Sequence, residues 1–281
     1  MSDVLYLIGE KSEEMTPSLR IVAKYMQNNI DSVAFDTLDN VAAKIKVSTT
    51  SVIRFARFLG FDGFSAMQKA IQAGLQEHLR LPNRLENTIG KIKKDSLCME
   101  SYQNDINNIN QTMKSIPEAT IIKAENLIIK ASSVYILGLR ASFALAHYMY
   151  SRLSQIKSNI SLVQPISEMY IEDIAKLTSK DVCICYLFPR YTASCITILK
   201  LLHKRKVPIV LITDQYNSHV KGCATVMLHC NVTGVSFKNT FAAPLALTNY
   251  LTASIANKNY KEAKVMLNEL ETLITDGQFM K

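Results

Sequence analysis

Glycine and proline are scarce in this chain, nine and seven residues out of 281. Collagen-like, disordered and turn-rich all-β proteins need far more of both, so long ordered helices are the expectation. No apolar run approaches the roughly 20 residues that a membrane-spanning helix requires. The opening Met1-Ser2-Asp3-Val4 lacks the basic flank and cleavage site of a secretory signal. Six cysteines lie at 98, 183, 185, 195, 223 and 230, and none forms a C-x-x-C pair. Several sit inside apolar runs, which suits reduced, buried thiols and a cytoplasmic setting. The five histidines show neither H-x-x-x-H nor mixed His/Cys ligand spacing, so no metal centre is expected. A membrane protein, a secreted disulfide scaffold and a zinc finger are all disfavoured.

The length accommodates one large domain or two ordinary ones, and 48% hydrophobic residues supply a sizeable core. The formal charge is +8, but its distribution does not locate a polyanion site. Residues 1–85 carry ten basic and nine acidic side chains, whereas residues 86–281 carry 22 and 15. One short stretch differs. No acid occurs between Asp39 and Asp62, while Lys44, Lys46, Arg54 and Arg57 do. A local basic face is what contact with phosphates requires.

Two textures follow one another. Residues 1–80 read as short helices. Thr16-Pro17 is a helix start, with Leu19, Val22, Ala23 and Met26 on one face. A second helix begins near Asp36 or Thr37 and carries Leu38, Val41, Ala42 and Ile45. A third begins at Ser48 and carries Val52, Phe55, Ala56 and Leu59, with Gly60 where a C-terminal cap belongs. Another helix runs through Met67, Ile71 and Leu75. Residues 81–99 read as a linker, where periodicity weakens and lysines gather. Residues 100–281 begin with two helical stretches, about 100–115 and 118–131. Apolar runs then alternate with helix patterns: 134–137, 160–163, 182–187, 207–212 and 226–228. Continuously apolar strands are buried on both faces, which predicts a doubly wound, mainly parallel five-stranded sheet with flavodoxin-like layering.

Residues 38–59 therefore form a helix-turn-helix. The buried stripe of its second helix leaves Thr50, Arg54 and Arg57 together on the opposite face. Ser48, Thr49, Thr50 and Ser51 put small hydroxyls and free amides at its start, where they can approach phosphate. Arginine further along can reach a guanine edge or clamp another phosphate. Lys46, in the turn, adds a further cation.

Strand 134–137 runs into Gly138-Leu139-Arg140-Ala141-Ser142, and strand 182–187 into Phe188-Pro189-Arg190-Tyr191-Thr192. In open α/β sheets, ligands bind beyond the carboxyl ends of the strands at the switch in strand order. Helix amides, Ser142, Thr192 and two arginine forks would favour an anion there. The residues alone fit equally well two ordinary turns with surface arginines. Glu168 and His147 are the nearest candidates for a general base, yet neither sits in a catalytic motif.

Val41-Ala42, Lys46 to Phe55 and Leu59-Gly60-Phe61-Asp62-Gly63-Phe64 resemble the helix-turn-helix of RpiR-type bacterial transcriptional regulators. The resemblance spans nearly the whole chain. It implies a C-terminal sugar isomerase (SIS) domain that senses a phosphorylated sugar through the Gly138 and Thr192 loops. Two departures stand out. Lys46 occupies a turn position where the family often has glycine. The usual Ser-x-Ser-Gly-x-Thr loop is here Leu187-Phe188-Pro189-Arg190-Tyr191-Thr192, so its arginines either replace lost hydroxyls or mark a different anionic metabolite. The expected protein is a cytoplasmic regulator, not an enzyme, without cofactor. Its partners would be double-stranded operator DNA, an anionic effector and a second copy, as homodimer or homotetramer. Its ligand residues would be Gly138, Arg140, Ser142, Glu168, Arg190, Tyr191 and Thr192. A sugar-phosphate isomerase with an appended helical domain is the alternative.

Overall fold

The computed structural model describes residues 3–34, 36–78, 80–86, 88, 96–164, 170–215, 220 and 222–277. The chain divides into two compact units, residues 1–91 and the chain from Ile92 onward apart from Ser236–Lys238.

The first unit is helical: α1 (Asp3–Glu10), α2 (Pro17–Val33), α3 (Leu38–Ile45), α4 (Thr49–Phe58), α5 (Phe64–His78) and α6 (Leu81–Glu86). The apolar stripes converge as their spacing requires. Val22, Ala23, Met26, Val41, Ala42, Val52, Phe55, Ala56, Leu59, Met67 and Ile71 form one buried cluster. Helix α1 adds Val4 and Ile8 to it, an element too short for its periodicity to stand out. The side chain of Leu75 lies outside the described residues. Two glutamines of α5 close the end of α2. Gln68 donates to Val33 O and Asp36 O at 2.9 and 2.7 Å, and Gln72 to Ala34 O at 2.6 Å. Those carbonyls would otherwise lack helical partners.

Helices α3 and α4 end in the same way. Beyond α3, Val47 N–H donates to Ala42 O at 3.0 Å; beyond α4, Phe61 N–H donates to Ala56 O at 3.0 Å. Each closure needs one left-handed residue. After α4 that residue is Gly60, at φ 98°; after α3 it is Lys46, at φ 60° and ψ 43°. Only the second carries the steric cost of a side chain.

The second unit contains α7 (Leu97–Ser115), α8 (Glu118–Lys130), β1 (Val134–Gly138), α9 (Ser142–Leu153), β2 (Ile160–Leu162), α10 (Tyr170–Lys176), β3 (Val182–Leu187), α11 (Ala193–Lys204), β4 (Ile209–Thr213), β5 (Val226–His229), α12 (Ala242–Lys258) and α13 (Tyr260–Asp276). The five strands lie in the order β2-β1-β3-β4-β5, and every pairing is parallel. Side chains alternate between two cores. Val134, Ile136, Ile184, Tyr186, Val210 and Ile212 pack with α8, α9 and α12. Leu137, Cys183, Cys185, Leu187, Ile209 and Leu211 pack with α10 and α11. Leu247, Leu251 and Ile255 of α12 lie in the first of these cores.

Polar contacts pin the helices that cover the first face. Buried Tyr186 shares a 2.6 Å hydrogen bond with Thr248 of α12, and buried Glu125 of α8 pairs with Lys258. Helix α7 is held by polar contacts to the segment after β5. Asn104 and Asn108 both donate to Thr233 O, at 2.7 and 2.8 Å, and Thr112 Oγ1 accepts from Asn231 N–H at 2.9 Å.

Two predictions follow from these elements. Lys46→Gly is expected to stabilise the chain by about 1 kcal/mol in urea unfolding, by removing the left-handed side-chain cost. Burial pushes the Cys183 and Cys230 thiols up to about 12. A disulfide-exchange reagent at pH 8 should therefore modify exposed Cys98 first and half-buried Cys223 more slowly. Buried Cys183, Cys185, Cys195 and Cys230 should react only on unfolding.

Candidate nucleic-acid interface and anion site

The start of α4 is fixed by its own serines. Ser48 occupies the N-cap, its hydroxyl accepts Ser51 N–H at 3.2 Å, and the two hydroxyls lie 2.9 Å apart. The amides of Thr49 and Thr50 precede the first intrahelical bond. Val52, Phe55 and Ala56 are buried, and that stripe turns Thr50, Arg54 and Arg57 outward, all exposed. Lys46 and Ser48 are exposed beside them, while Thr49 and Ser51 are half-buried. Arg57 Nε donates to Asp62 O at 3.3 Å, which steadies that side chain at the far end of the helix.

One cation of the acid-free stretch is otherwise engaged. Lys44 Nζ lies 2.6 Å from the carboxylate of buried Asp36. That hydrogen bond holds the ammonium above the ordinary lysine value. The remaining cations sit on the turn and on the outer face of α4. The arrangement offers hydroxyls and amides at one end of a helix, with arginines along it.

The second constellation lies at the carboxyl edge of the sheet. Strand order reverses between β1 and β3, which are paired with Gly138 opposite Tyr186. Their loops are therefore neighbours. Glycine is required at 138, because a Cβ there would lie 2.5 Å from Ser142 O and 2.9 Å from Ala146 Cβ. This close crossing brings the start of α9 against the strand end, with Ser142 buried.

Both loop arginines have left-handed backbones, Arg140 at φ 56° and Arg190 at φ 58°. Such conformations cost an L-residue about 1–2 kcal/mol and cluster at functional sites. Thr192 is the N-cap of α11, and its hydroxyl makes no cap hydrogen bond. The Tyr191 hydroxyl donates to Asp214 Oδ1 at 2.7 Å. Asp214 is buried just beyond β4, and its carbonyl lies 3.1 Å from His229 Nδ1 at the end of β5. Asn239 Nδ2 donates to Pro189 O at 3.4 Å. The Phe188–Thr192 loop is thus tied to its surroundings by both Tyr191 and Pro189.

The structure therefore brings Gly138, Arg140 and Ser142 beside Arg190, Tyr191 and Thr192. Glu168 lies outside the described residues. His147 is exposed on α9, its ring 6.2 Å from that of Phe143. Asp214 escaped the sequence reading, although its place directly after an apolar strand was a signal. Among the described residues, no three His, Cys, Asp or Glu are grouped to hold a metal ion. Nor is any described helix long and apolar enough to cross a membrane.

Comparison with known proteins assigns both units. Residues 2–78 match the helix-turn-helix domain of the rpiR family, and residues 127–256 match the SIS domain. An uncharacterised HTH-type transcriptional regulator of Caldanaerobacter subterraneus is 23% identical over 270 residues, covering 93% of each chain. The sugar isomerase domain of an RpiR transcription factor from Sphaerobacter thermophilus is 25% identical. That likeness covers 63% of this chain and 99% of that one, with a TM-score of 0.61. The NanR protein of Vibrio vulnificus, solved with ManNAc-6P, has the same fold along 97% of this chain and 98% of its own, at 21% identity and a TM-score of 0.62. The chain belongs to the RpiR-type DNA-binding transcriptional regulators, an rpiR-family helix-turn-helix domain followed by a SIS domain.

Proposed function

We propose that α4 is the recognition helix and that the carboxyl edge of the sheet binds the effector. The observation that carries the first part is the outward face of α4. It joins a serine-capped N-terminus to Thr50, Arg54 and Arg57 in a stretch free of acids. Ser48, Thr49, Thr50, Ser51 and the helix amides would hold a phosphate and set the helix in the major groove. Arg54 reads a base edge, and Lys46 and Arg57 contact flanking phosphates. One helix-turn-helix covers one half-site, so the working form is a pair of copies over a two-fold operator.

The effector reading rests on the two left-handed arginines. Glycine would adopt those backbones without strain, yet each carries a guanidinium at the switch in strand order. Arg140 and Arg190 form a planar, permanently charged pair suited to a phosphate or carboxylate. Ser142, Thr192 and the amides that open α9 and α11 complete the anion cradle. Glu168 would meet the hydroxyls of a carbohydrate. Tyr191 acts through Asp214, holding the loop, rather than on the ligand. The effector class that fits is a phosphorylated sugar or related carbohydrate derivative, as in the NanR complex with ManNAc-6P. The domain acts as a cytoplasmic sensor and not as an enzyme. His147 is exposed on α9, and the Ser-Gly hydroxyl loop of sugar-phosphate sites is replaced by Pro189-Arg190.

Selection of genomic fragments on the purified protein supplies the operator, and fluorescence anisotropy across a salt series tests the reading. Arg54→Ala is expected to cost about 1–3 kcal/mol and to relax sequence preference. Lys46→Gly should weaken all sequences alike and lower the salt slope by about one. Binding indifferent to Arg54 would overturn the assignment of α4. For the effector, calorimetry against a panel of sugar phosphates should give a binder whose affinity falls about 100-fold or more in Arg140→Gly with Arg190→Gly. That double variant should unfold no more easily than the parent, since both replacements relieve backbone strain. Unchanged affinity would place the anion elsewhere.

A further inference from the structure

The amino edge of the sheet, opposite the Arg140 and Arg190 loops, carries a groove of about 540 Å³. One wall is the outer face of α8; the other is made by the segments that lead into β1, β3 and β4. Those segments are tied together through the backbone. Ser132 N–H donates to Lys180 O and Cys183 N–H to Pro208 O, each at 2.9 Å. The Asp181 carboxylate is held within its own loop, where it accepts the N–H and the hydroxyl of Thr178, both at 2.8 Å. The walls are thus fixed by the fold, and the volume is in the range of small-molecule sites.

The lining has an apolar and a charged part. The apolar part is aliphatic, with Ile122, Leu127 and Pro208, and no aromatic ring lines the groove. The charged part sets Lys123, Lys130 and Lys180 against a single acid, Asp181. All three lysines are exposed, and none has an ion pair or a side-chain hydrogen bond among the described residues. Lys123 and Lys130 stand seven residues apart on α8, about 10 Å along its axis, with Leu127 between them.

We propose that this groove is a second ligand site, for an anion with an elongated aliphatic body: a phosphate or carboxylate on an alkyl or acyl chain. The surplus positive charge selects an anion. Lysines act as point charges, without the planar bidentate geometry that arginines impose. The aliphatic lining gives a nucleobase or other ring nothing to stack on. A chain lying along α8 covers Ile122 and Leu127 and leaves the head group with the ammoniums at the rim. The groove shares no residue with the Arg140 and Arg190 loops, so it stands whether or not those loops bind a sugar phosphate.

Calorimetry on the full-length protein tests the site, with octyl phosphate, octanoate, inorganic phosphate and octanol as probes. Octyl phosphate or octanoate should bind at least about tenfold more tightly than inorganic phosphate or octanol, because head and chain are both needed. The tighter of the two amphiphiles identifies the head group. Lys123→Ala with Lys130→Ala and Lys180→Ala should weaken that binding about tenfold, the combined effect of three exposed ion pairs. Ile122→Ser should weaken it about fivefold through lost apolar contact. These side chains are exposed, so thermal melting should match the parent. Binding should persist in Arg140→Gly with Arg190→Gly, which separates this groove from the proposed effector site. No binding of either amphiphile below its micelle-forming concentration, an affinity indifferent to the three lysines, or a loss in the arginine double variant would overturn the proposal.

Discussion

A parallel sheet with two buried faces sets the terms for the rest of the effector domain. Parallel neighbours cannot be joined by tight turns, so every connection must cross over, and the sheet needs cover on both sides. Helices α8, α9 and α12 supply it on one face, and α10 and α11 on the other. Once both faces are closed, the sheet offers chemistry only at its edges. Reversal of strand order between β1 and β3 opens the carboxyl edge there, between two loops that each start a helix. The position of the proposed anion site is thus a consequence of the core.

Among the described residues, four cations occupy backbones that glycine would take without strain: Lys46 in the helix-turn-helix, Arg140 and Arg190 in the loops after β1 and β3, and Lys206 between α11 and β4; neutral Asn159 is a fifth such residue. The steric cost recurs in both units; at Lys46, Arg140 and Arg190 it falls on positions proposed to meet phosphate, whereas Asn159 and Lys206 precede β2 and β4 at the opposite edge of the sheet. Gly60 closes α4 by the same hydrogen bond that Lys46 closes α3, so the turn itself does not call for a cation. The charge is the added feature. At Lys46 and Arg190, the two departures from the family pattern, some stability is exchanged for a positive group at a position proposed to meet phosphate.

Much of this was legible in the sequence, because burial leaves a period. The five apolar runs became the five strands, and the stripes of α2, α3, α4 and α5 became the helical core. The outward set Thr50, Arg54 and Arg57 followed by subtraction. What escaped has physical reasons too. Helix α1 is anchored by two buried residues, too few to show a period. Arginine in a left-handed backbone leaves no mark, since only glycine and asparagine announce that conformation. The Tyr191–Asp214 bond joins residues 23 apart, whose proximity depends on the β3–β4 pairing. Helix α7 misleads any reading in which apolar means inside, because there the polar side chains are buried and the apolar row is bare.

If α4 is the recognition helix and the sheet edge the effector site, as proposed, an anion at the sheet edge alters the grip of α4 on DNA. That coupling is tested most directly by measuring operator affinity with and without a saturating sugar-phosphate effector. The account predicts a change of at least about fivefold, the lower range of measured couplings between sites, mirrored by an equal change in effector affinity when operator is bound. Equal operator affinity in both states, with effector binding verified by calorimetry, would contradict it.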